Sequence, residues 1–274
     1  MSSFVRAPRR DTHSPRVSIV IPALNEAKNL AEVLPQLPAV HEVILVDGGS
    51  VDGTVATARR LRPDVITVLQ ARSGKGNALA SGLARVTGDV VVVFDADGSA
   101  DPDEIGCFVQ ALTDGADLAT GSRSTHGGGS ADIAAVRAWG DRCLTVLFNV
   151  GFGTRATDLC YGFQAFWADL MPVLDLPDHA RPALPGEKMQ WGDGAEIETL
   201  VSCRLAAAGA RIVEVPSVER RRPHGDPRLS ASTDGLRALR TIVVEWCRFR
   251  LGLGRSGPPV RLPPVAELVA AAVA

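Results

Sequence analysis

The chain has 274 residues, of which 46% are hydrophobic and 22% charged, and its formal net charge at pH 7 is −2. This balance is typical of a soluble globular protein and argues against a nucleic-acid binder, which would carry clustered Lys and Arg on a basic domain. The length suits one large α/β domain, or a domain with an accessory segment.

The cysteines and the hydropathy pattern bound the cellular context. The five cysteines form no CxxC pair, so we expect reduced thiols rather than a disulfide framework or a zinc site. No apolar run, the strand-sized Val90–Phe94 included, approaches the roughly 18 residues of a spanning helix. Residues 1–16 lack the apolar core of a signal peptide. We therefore predict a cytoplasmic protein, at most peripheral at the inner face of the membrane.

Between residues 16 and 123, short β-branched runs alternate with longer helix-like segments. In chain order, the pattern predicts a strand at Val17–Ile21, a helix at Ala27–Leu37, a strand at Glu42–Val46, a helix opened by Asp52-Gly-Thr54 and running to Leu61, a strand at Val65–Leu69, a helix at Gly76–Val86 and a strand at Asp89–Phe94. This alternation predicts an α/β fold with a mostly parallel central sheet and flanking helices.

The second half of the chain, residues 124–251, is less regular. Helices are predicted at Ile133–Val150, Gly194–Ala208 and Thr233–Leu251, and a strand at Ile212–Val215. The Pro- and Gly-rich stretches Leu176–Gly194 and Arg220–Pro227 predict loops. Residues 1–15 are predicted to be a flexible arm, and residues 252–274 a flexible tail.

Polar clusters follow three of the predicted strands, at the edge where parallel sheets bind ligands. Asp95 and Asp97 come directly after the strand at Asp89–Phe94. Their hard oxygen atoms suit Mg²⁺ or Mn²⁺, which would neutralise charge on a leaving nucleoside diphosphate. An isolated DxD is more often a surface turn, but the long apolar strand and the neighbouring motifs favour a metal site.

Two other loops are candidates for binding a nucleotide. In Asp47-Gly-Gly-Ser-Val-Asp-Gly-Thr54, Asp47 can hydrogen-bond a base or ribose, whereas Asp52 is better explained as a helix N-cap. Lys75 lies in a Gly-flanked loop before a helix, where it can meet a phosphate with help from the helix N-terminus, or can equally be a solvated turn residue. The Walker A spacing is absent.

Together these motifs resemble the family 2 glycosyltransferases of GT-A fold, most closely the dolichol-phosphate mannose synthase-like branch. The resemblance covers about Val17 to Glu245 and rests on eight motifs in the family's order. They are Ile21-Pro-Ala-Leu-Asn-Glu26, Val46-Asp-Gly-Gly-Ser-Val-Asp-Gly-Thr54, Gly74-Lys-Gly76, Asp95-Ala-Asp97, Gly121-Ser-Arg123, Asp158-Leu-Cys-Tyr-Gly-Phe163, Gly192-Asp-Gly-Ala-Glu196 and Glu214-Val-Pro216.

The resemblance implies a GT-A domain at residues 16–251, with a nucleotide-sugar half at 16–123 and an acceptor half at 124–251. It implies that Pro22, Asn25, Glu26 and Asp47 line the nucleoside pocket, and that Asp95, Asp97 and Ser99 bind the metal. It also implies that Arg123 and Arg137 lie near the phosphates or acceptor, and that Arg222 and Arg228, in Arg222-Pro-His-Gly-Asp-Pro-Arg-Leu229, meet an anionic acceptor phosphate. The implied reaction is single displacement with inversion at the anomeric carbon.

Some positions depart from the family pattern or admit two interpretations. Gly48 and Ser99 stand where many relatives carry Asp and Gln. The run Arg220–Arg222 is either a solvated loop or a phosphate clamp. Asp158 is a candidate general base only if the acceptor is an alcohol, because a phosphate acceptor is already ionised. Glu196 and Glu198 are explained by the helix dipole, with a role in shaping the active-site rim as the alternative.

Three functional hypotheses follow. The favoured one is transfer of a hexose from GDP-mannose or UDP-glucose to polyprenyl phosphate. The second is the same donor chemistry on a soluble small-molecule acceptor. The third, from another class, is a nucleotidyltransferase or a non-catalytic nucleotide-binding module.

Overall fold

The computed structural model describes residues 14–131, 135–183, 189–225 and 231–252. Its strands are β1 (Val17–Ala23), β2 (Glu42–Asp47), β3 (Ile66–Leu69), β4 (Val90–Val93), β5 (Leu118–Ser122), β6 (Gly129–Ser130), β7 (Gln164–Trp167), β8 (Ile212–Pro216) and β9 (Val218–Glu219). Its α-helices are α1 (Ala27–Val33), α2 (Thr54–Leu61), α3 (Lys75–Leu83), α4 (Ile105–Thr113), α5 (Ala135–Phe152), α6 (Met171–Leu174), α7 (Ile197–Ala207) and α8 (Ala231–Leu251).

The described strands form a seven-stranded sheet in the order β3-β2-β1-β4-β7-β5-β8 and a two-stranded sheet of β6 and β9. Strand β7 runs antiparallel to β4 and β5, and the other pairs of the large sheet are parallel. The predicted α/β fold with a mostly parallel sheet and flanking helices is therefore confirmed. Strands β1, β2 and β4 are buried almost throughout, as expected for strands covered on both faces.

The predicted strands and helices of the first half are confirmed with small changes at their ends. The first helix was predicted to reach Leu37, but α1 ends at Val33 and a 3₁₀ turn follows at Leu34–Gln36. The cause is Pro35, which has no N–H to donate and whose ring crowds the carbonyl four residues earlier. The third helix ends at Leu83 rather than Val86.

In the second half, the three predicted helices and the strand at residues 212–215 are confirmed as α5, α7, α8 and β8. The main correction is β7, which lies in the middle of the large sheet although no strand was predicted there. Helix α4 and strand β5 were also not predicted. The tail at residues 253–274 and most of the arm at 1–15 lie outside the described residues, as does Arg228.

Two apolar clusters support these elements. The larger one fills both faces of the seven-stranded sheet and includes Ile19, Leu45, Phe94 and Phe166. The smaller one joins α5, α7 and α8 through residues such as Phe148 and Ile242. The second cluster fixes the three helices of the second half to one another, beside the sheet.

Helix α3 approaches the sheet closely at Gly82, and this contact gives a test of the packing. A Cβ added there would lie 2.4 Å from Val20 Cγ1, so Gly82→Ala should lower the free energy of unfolding by about 1–3 kcal/mol through overpacking. Urea denaturation measures the change. The matched control is Gly106→Ala in α4, where an added Cβ meets nothing within 4 Å; it should be neutral or stabilising. Equal destabilisation by both substitutions would contradict this packing.

Candidate active site

A cavity of about 360 Å³ opens at the carboxyl ends of β1 and β4. The residues that line it come from both halves of the chain: Pro22, Ala23, Leu24, Glu26, Gly48, Gln70, Gly74, Lys75, Ala78, Asp95, Ala96, Asp97, Met189, Gly194, Ala195, Arg222, Asp234 and Arg237. Six of the residues predicted from the sequence are among them: Pro22, Glu26, Lys75, Asp95, Asp97 and Arg222. The cavity is where the carboxyl-end rule for parallel sheets places a ligand.

Lys75 forms two ion pairs at the floor of this cavity. Its Nζ atom lies 2.5 Å from Asp95 Oδ1 and also pairs with Glu198 Oε1. Burial alone would lower the pKa of Lys75, but the two carboxylates outweigh it and raise the pKa above its ordinary value. Burial beside Asp95 raises the pKa of Glu198, although Lys75 opposes that shift. Lys75 therefore remains charged at neutral pH.

Asp97 is held by a second cation and by the backbone. Its Oδ2 atom lies 2.7 Å from Arg222 Nη2, and its Oδ1 atom accepts a hydrogen bond of 2.9 Å from the Ser99 backbone N–H. The Ser99 carbonyl accepts from the Arg220 backbone N–H at 2.8 Å. The backbone of Ser99 thus links Asp97 to the segment Arg220–Arg222. This arginine segment is therefore more than a solvated run of charges.

The chemistry of Asp95 and Asp97 fits the divalent cation predicted from the sequence. Both carboxylates offer hard oxygen atoms at the cavity floor, and both are paired with cationic side chains that a metal ion would replace. Among the described residues, no group of three or more His, Cys, Asp or Glu side chains could hold a metal. A Mg²⁺ or Mn²⁺ ion here would take its remaining ligands from a diphosphate and water, as Mg²⁺ does in phosphate-binding sites.

The loop after β1 is tied to the loop after β2. Asn25 adopts a positive φ of 50°, and its side-chain oxygen accepts a hydrogen bond of 2.8 Å from Val51 N–H. The Glu26 backbone N–H donates to Thr54 Oγ1 at 2.9 Å, and the Asp52 carboxylate accepts from Ala27 N–H. Asp52 therefore serves α1 as well as the start of α2, where it accepts from Thr54.

Asp47 lies at the end of β2 and is buried. Its carboxylate accepts hydrogen bonds from the backbone N–H groups of Gly49 and Ser50. These bonds fold the Gly-rich loop back over the strand end. Asp47 is not among the residues lining the cavity. In this structure it holds the loop beside the cavity in place and does not itself face the cavity.

The N-terminus of α3 is covered by the loop that precedes α7. The Asp193 carbonyl accepts hydrogen bonds from Gly76 N–H at 2.7 Å and from Asn77 N–H at 3.3 Å. A Cβ on Gly76 would lie 1.8 Å from the Gly192 carbonyl oxygen, so only glycine permits this approach. These two amides are thus not offered to a phosphate, which corrects the predicted role of the helix end; Lys75 keeps its place in the cavity.

The same loop is anchored by a buried ion pair. Arg72 Nε and Nη2 lie 2.7 and 2.8 Å from the two carboxylate oxygens of Asp193, and both side chains are inaccessible to solvent. Arg72 also donates to the carbonyls of Asp178 and Arg181. Arg72 therefore fixes two stretches of the second half against the nucleotide-sugar half, beside the cavity residues Gly194 and Ala195.

A second cavity, of about 560 Å³, lies beside β5 and α5 and contains Arg123 and Asp158. Asp158 accepts from the Arg123 backbone N–H, Nε and Nη2 at 3.1, 2.7 and 3.0 Å. Arg123 also pairs with Asp141 and Glu219, and its guanidinium lies 5.3 Å from the centre of the Tyr161 ring. Arg137 lies at the edge of this network, 3.9 Å from Asp141.

The structure thus places six of the predicted site residues around the first cavity and Arg123 and Asp158 around the second. Asn25 lines a third cavity, shared with Glu26 and Arg222. Arg72 and Asp193 were not predicted as parts of the site, and Glu198 was considered only for its rim. Glu198 was explained by the helix dipole; it does lie in the first turn of α7, but its carboxylate also pairs with Lys75.

Comparison with known proteins shows the family of the chain. The sequence profile described as "Glycosyl transferase family 2" matches residues 18–171. The chain belongs to glycosyl transferase family 2. The polyprenol monophosphomannose synthase of Mycolicibacterium smegmatis is 31% identical over 261 residues, covering 88% of this chain and 90% of that protein. The undecaprenyl-phosphate mannosyltransferase of Micrococcus luteus is 31% identical over 255 residues, covering 87% and 100%.

Solved structures of similar fold include a mycobacterial enzyme. The glucosyl-3-phosphoglycerate synthase of Mycobacterium tuberculosis, in complex with Mn²⁺, UDP and glucosyl-3-phosphoglycerate, superposes with a TM-score of 0.62. Its sequence is 21% identical, and the match covers 93% of this chain and 88% of that one. This likeness confirms the GT-A fold of the chain.

Among the residues of the chain that the structure describes, no helix is both long and apolar enough to cross a membrane.

The Arg72–Asp193 pair can be tested by removing one charge. Asp193→Asn leaves the Arg72 guanidinium buried without a counter-ion and should lower the free energy of unfolding by about 3–5 kcal/mol. The control is Asp64→Asn, because Asp64 is exposed and its pair with Arg62 is 3.5 Å long; that change should cost less than about 1 kcal/mol. Urea denaturation of both variants gives the comparison. Similar losses in the two would contradict the anchoring role of Asp193.

Proposed function

We propose that this glycosyltransferase transfers a hexose, in first place mannose, from a nucleotide-diphospho-sugar to polyprenyl phosphate. The observation that carries the donor chemistry is the pair of carboxylates, Asp95 and Asp97, at the floor of a cavity that also holds Lys75 and Arg222. The acceptor and the mannose are supported by the names of the two relatives that are 31% identical over most of the chain.

On the donor side, the loop from Pro22 to Glu26 holds the nucleoside. Asp47 fixes the adjacent Gly-rich loop that follows β2. Asp95 and Asp97 would hold a Mg²⁺ or Mn²⁺ ion, with the Ser99 backbone orienting Asp97. When bound, the metal would neutralise the charge that develops on the leaving nucleoside diphosphate. Lys75 and Arg222, which line the same cavity, would give charge-assisted hydrogen bonds to the phosphate oxygens.

On the acceptor side, the contacts of Asp158 favour a phosphate over an alcohol. An alcohol must lose a proton as it attacks, so it needs a general base. Both Asp158 oxygens already accept hydrogen bonds from Arg123, so neither is well placed to receive a proton from an acceptor. A phosphate oxygen is already ionised and attacks the anomeric carbon without that help. We therefore assign Asp158 to positioning Arg123.

The remaining basic residues complete the acceptor half at residues 124–251. Arg123 and Arg137 lie around Asp141 in the second cavity, and Arg222 joins the metal-binding carboxylate Asp97 to the loop that continues toward Arg228. In this proposal they receive the anionic phosphate of the acceptor, which attacks opposite the leaving diphosphate and inverts the anomeric centre. A lipid-linked acceptor implies peripheral contact with a membrane.

The test is transfer of radiolabel from GDP-[¹⁴C]mannose and UDP-[¹⁴C]glucose to polyprenyl phosphate, with Mg²⁺ or Mn²⁺ and with EDTA. We expect metal-dependent label from GDP-mannose in the organic phase. Asp97→Asn should lower the rate about 100-fold or more, equivalent to about 2.7 kcal/mol of transition-state stabilisation. The control is Asp103→Asn, an exposed carboxylate in the next 3₁₀ turn, which should retain full activity.

Other outcomes would decide against the proposal. Release of nucleoside diphosphate with label remaining in the aqueous phase would point to a soluble acceptor. Consumption of a nucleoside triphosphate, or nucleotide binding and function unchanged in Asp97→Asn, would favour a nucleotidyltransferase or a non-catalytic binding module.

A further inference from the structure

The outer face of α5 is apolar although it faces solvent. Trp139, Val146 and Val150 are 72%, 54% and 81% exposed, and Cys143 and Leu147 are exposed beside them. Their spacing of three and four residues places them on one stripe of the helix. We call these five residues the α5 stripe.

The α5 stripe is not the core-facing side of the helix. On its opposite side, Leu144 and Phe148 are buried in the cluster that joins α5 to α7 and α8. A surface helix normally carries polar residues opposite its buried side. Helix α5 therefore has a second apolar face, which does not pack against the core. Exposed apolar patches of this kind mark interaction sites.

The end of α8 carries further exposed apolar side chains, Phe249 and Leu251. The Phe249 ring lies 5.9 Å from that of Phe152, which packs against the buried cluster of α5, α7 and α8. These residues therefore lie next to the buried side of α5 and are not part of the stripe.

The exposed charges around the α5 stripe are positive. Arg142 is exposed on α5 beside the stripe, and Arg155 is exposed just after the helix. The nearby acids are neutralised inside the protein: Asp141 pairs with Arg123, and Glu245, 5% exposed, pairs with Arg204 and Arg248. An apolar stripe bordered by arginines complements a surface that is apolar beneath a layer of negative charge.

The stripe is also continuous with the second cavity. Arg142 and Val146 line that cavity together with Arg123 and Asp158, and the same two residues belong to the exposed outer side of α5. A molecule lying on the stripe would therefore have direct access to the arginine-containing cavity.

We propose that the α5 stripe binds the surface of a bilayer that contains anionic lipids. The apolar side chains enter the boundary between headgroups and acyl chains, while Arg142 and Arg155 meet the headgroup phosphates. The purpose of this contact rests on the proposed function, because the contact would bring a lipid-linked phosphate to the second cavity. The binding itself can be measured independently of that function, since vesicle binding needs neither donor nor acceptor.

The experiment is sedimentation of the full-length protein with vesicles of phosphatidylcholine, with and without phosphatidylglycerol. We expect binding to the anionic vesicles, weakened by salt. Val150→Glu and Trp139→Glu should each weaken it about tenfold or more, because each places a charge where the proposal requires an apolar contact. The matched control is Leu69→Glu: Leu69 is 71% exposed but lies on β3, at the edge of the sheet opposite β8, and should bind like the wild type.

Thermal unfolding checks that the variants remain folded, and light scattering without lipid reports self-association. Absence of wild-type binding to anionic vesicles, or equal binding by Val150→Glu and the wild type, would overturn the proposal. So would a lipid-free dimer that Val150→Glu dissociates, because the stripe would then be an interface between two copies of the chain. If vesicle binding behaves as expected but no label enters the organic phase in the transfer assay, only the proposed acceptor fails.

Discussion

At the floor of the first cavity, the ammonium group of Lys75 separates the carboxylates of Asp95 and Glu198. Lys75 begins α3, Asp95 follows the central strand β4, and Glu198 lies in the first turn of α7. One charge thus holds together three elements from both halves of the chain. Without it, two carboxylates in a partly desolvated site would repel each other. The neighbouring pair of Asp97 and Arg222 repeats this arrangement, so two cations stand where the proposed diphosphate would bind.

The first half of the fold could be predicted closely because its strands and helices are determined by residues that are near one another in the sequence. Strands β1, β2 and β4 are β-branched runs buried on both sides, and the helices between them impose parallel pairing. Strand β7 has no comparable pattern. Gln164–Trp167 is short, and it is inserted antiparallel between β4 and β5, which lie far from it in sequence. Its position depends on the completed sheet rather than on its own residues.

The candidate site shows the same division. Asp95 and Asp97 were predictable because they follow a strong strand signal at the sheet edge that binds ligands. The pairs of Lys75 with Glu198 and Arg72 with Asp193 join residues 123 and 121 positions apart, and no spacing in a single sequence indicates them. Family resemblance gave the order of the motifs, but only the folded chain reveals that Asp158 is fully engaged by Arg123.

Gly74 and Gly76 allow main chain to touch main chain where α3 meets the loop before α7. A Cβ on Gly74 would lie 2.1 Å from the Asp193 carbonyl oxygen, so the separation of these segments is set by the radii of backbone atoms. Side-chain replacements elsewhere cannot tune that separation gradually. Divergence of donor preference among related enzymes would then have to proceed through the groups that project from this fixed frame into the cavity, such as Met189 and Arg237, while the frame itself stays constant.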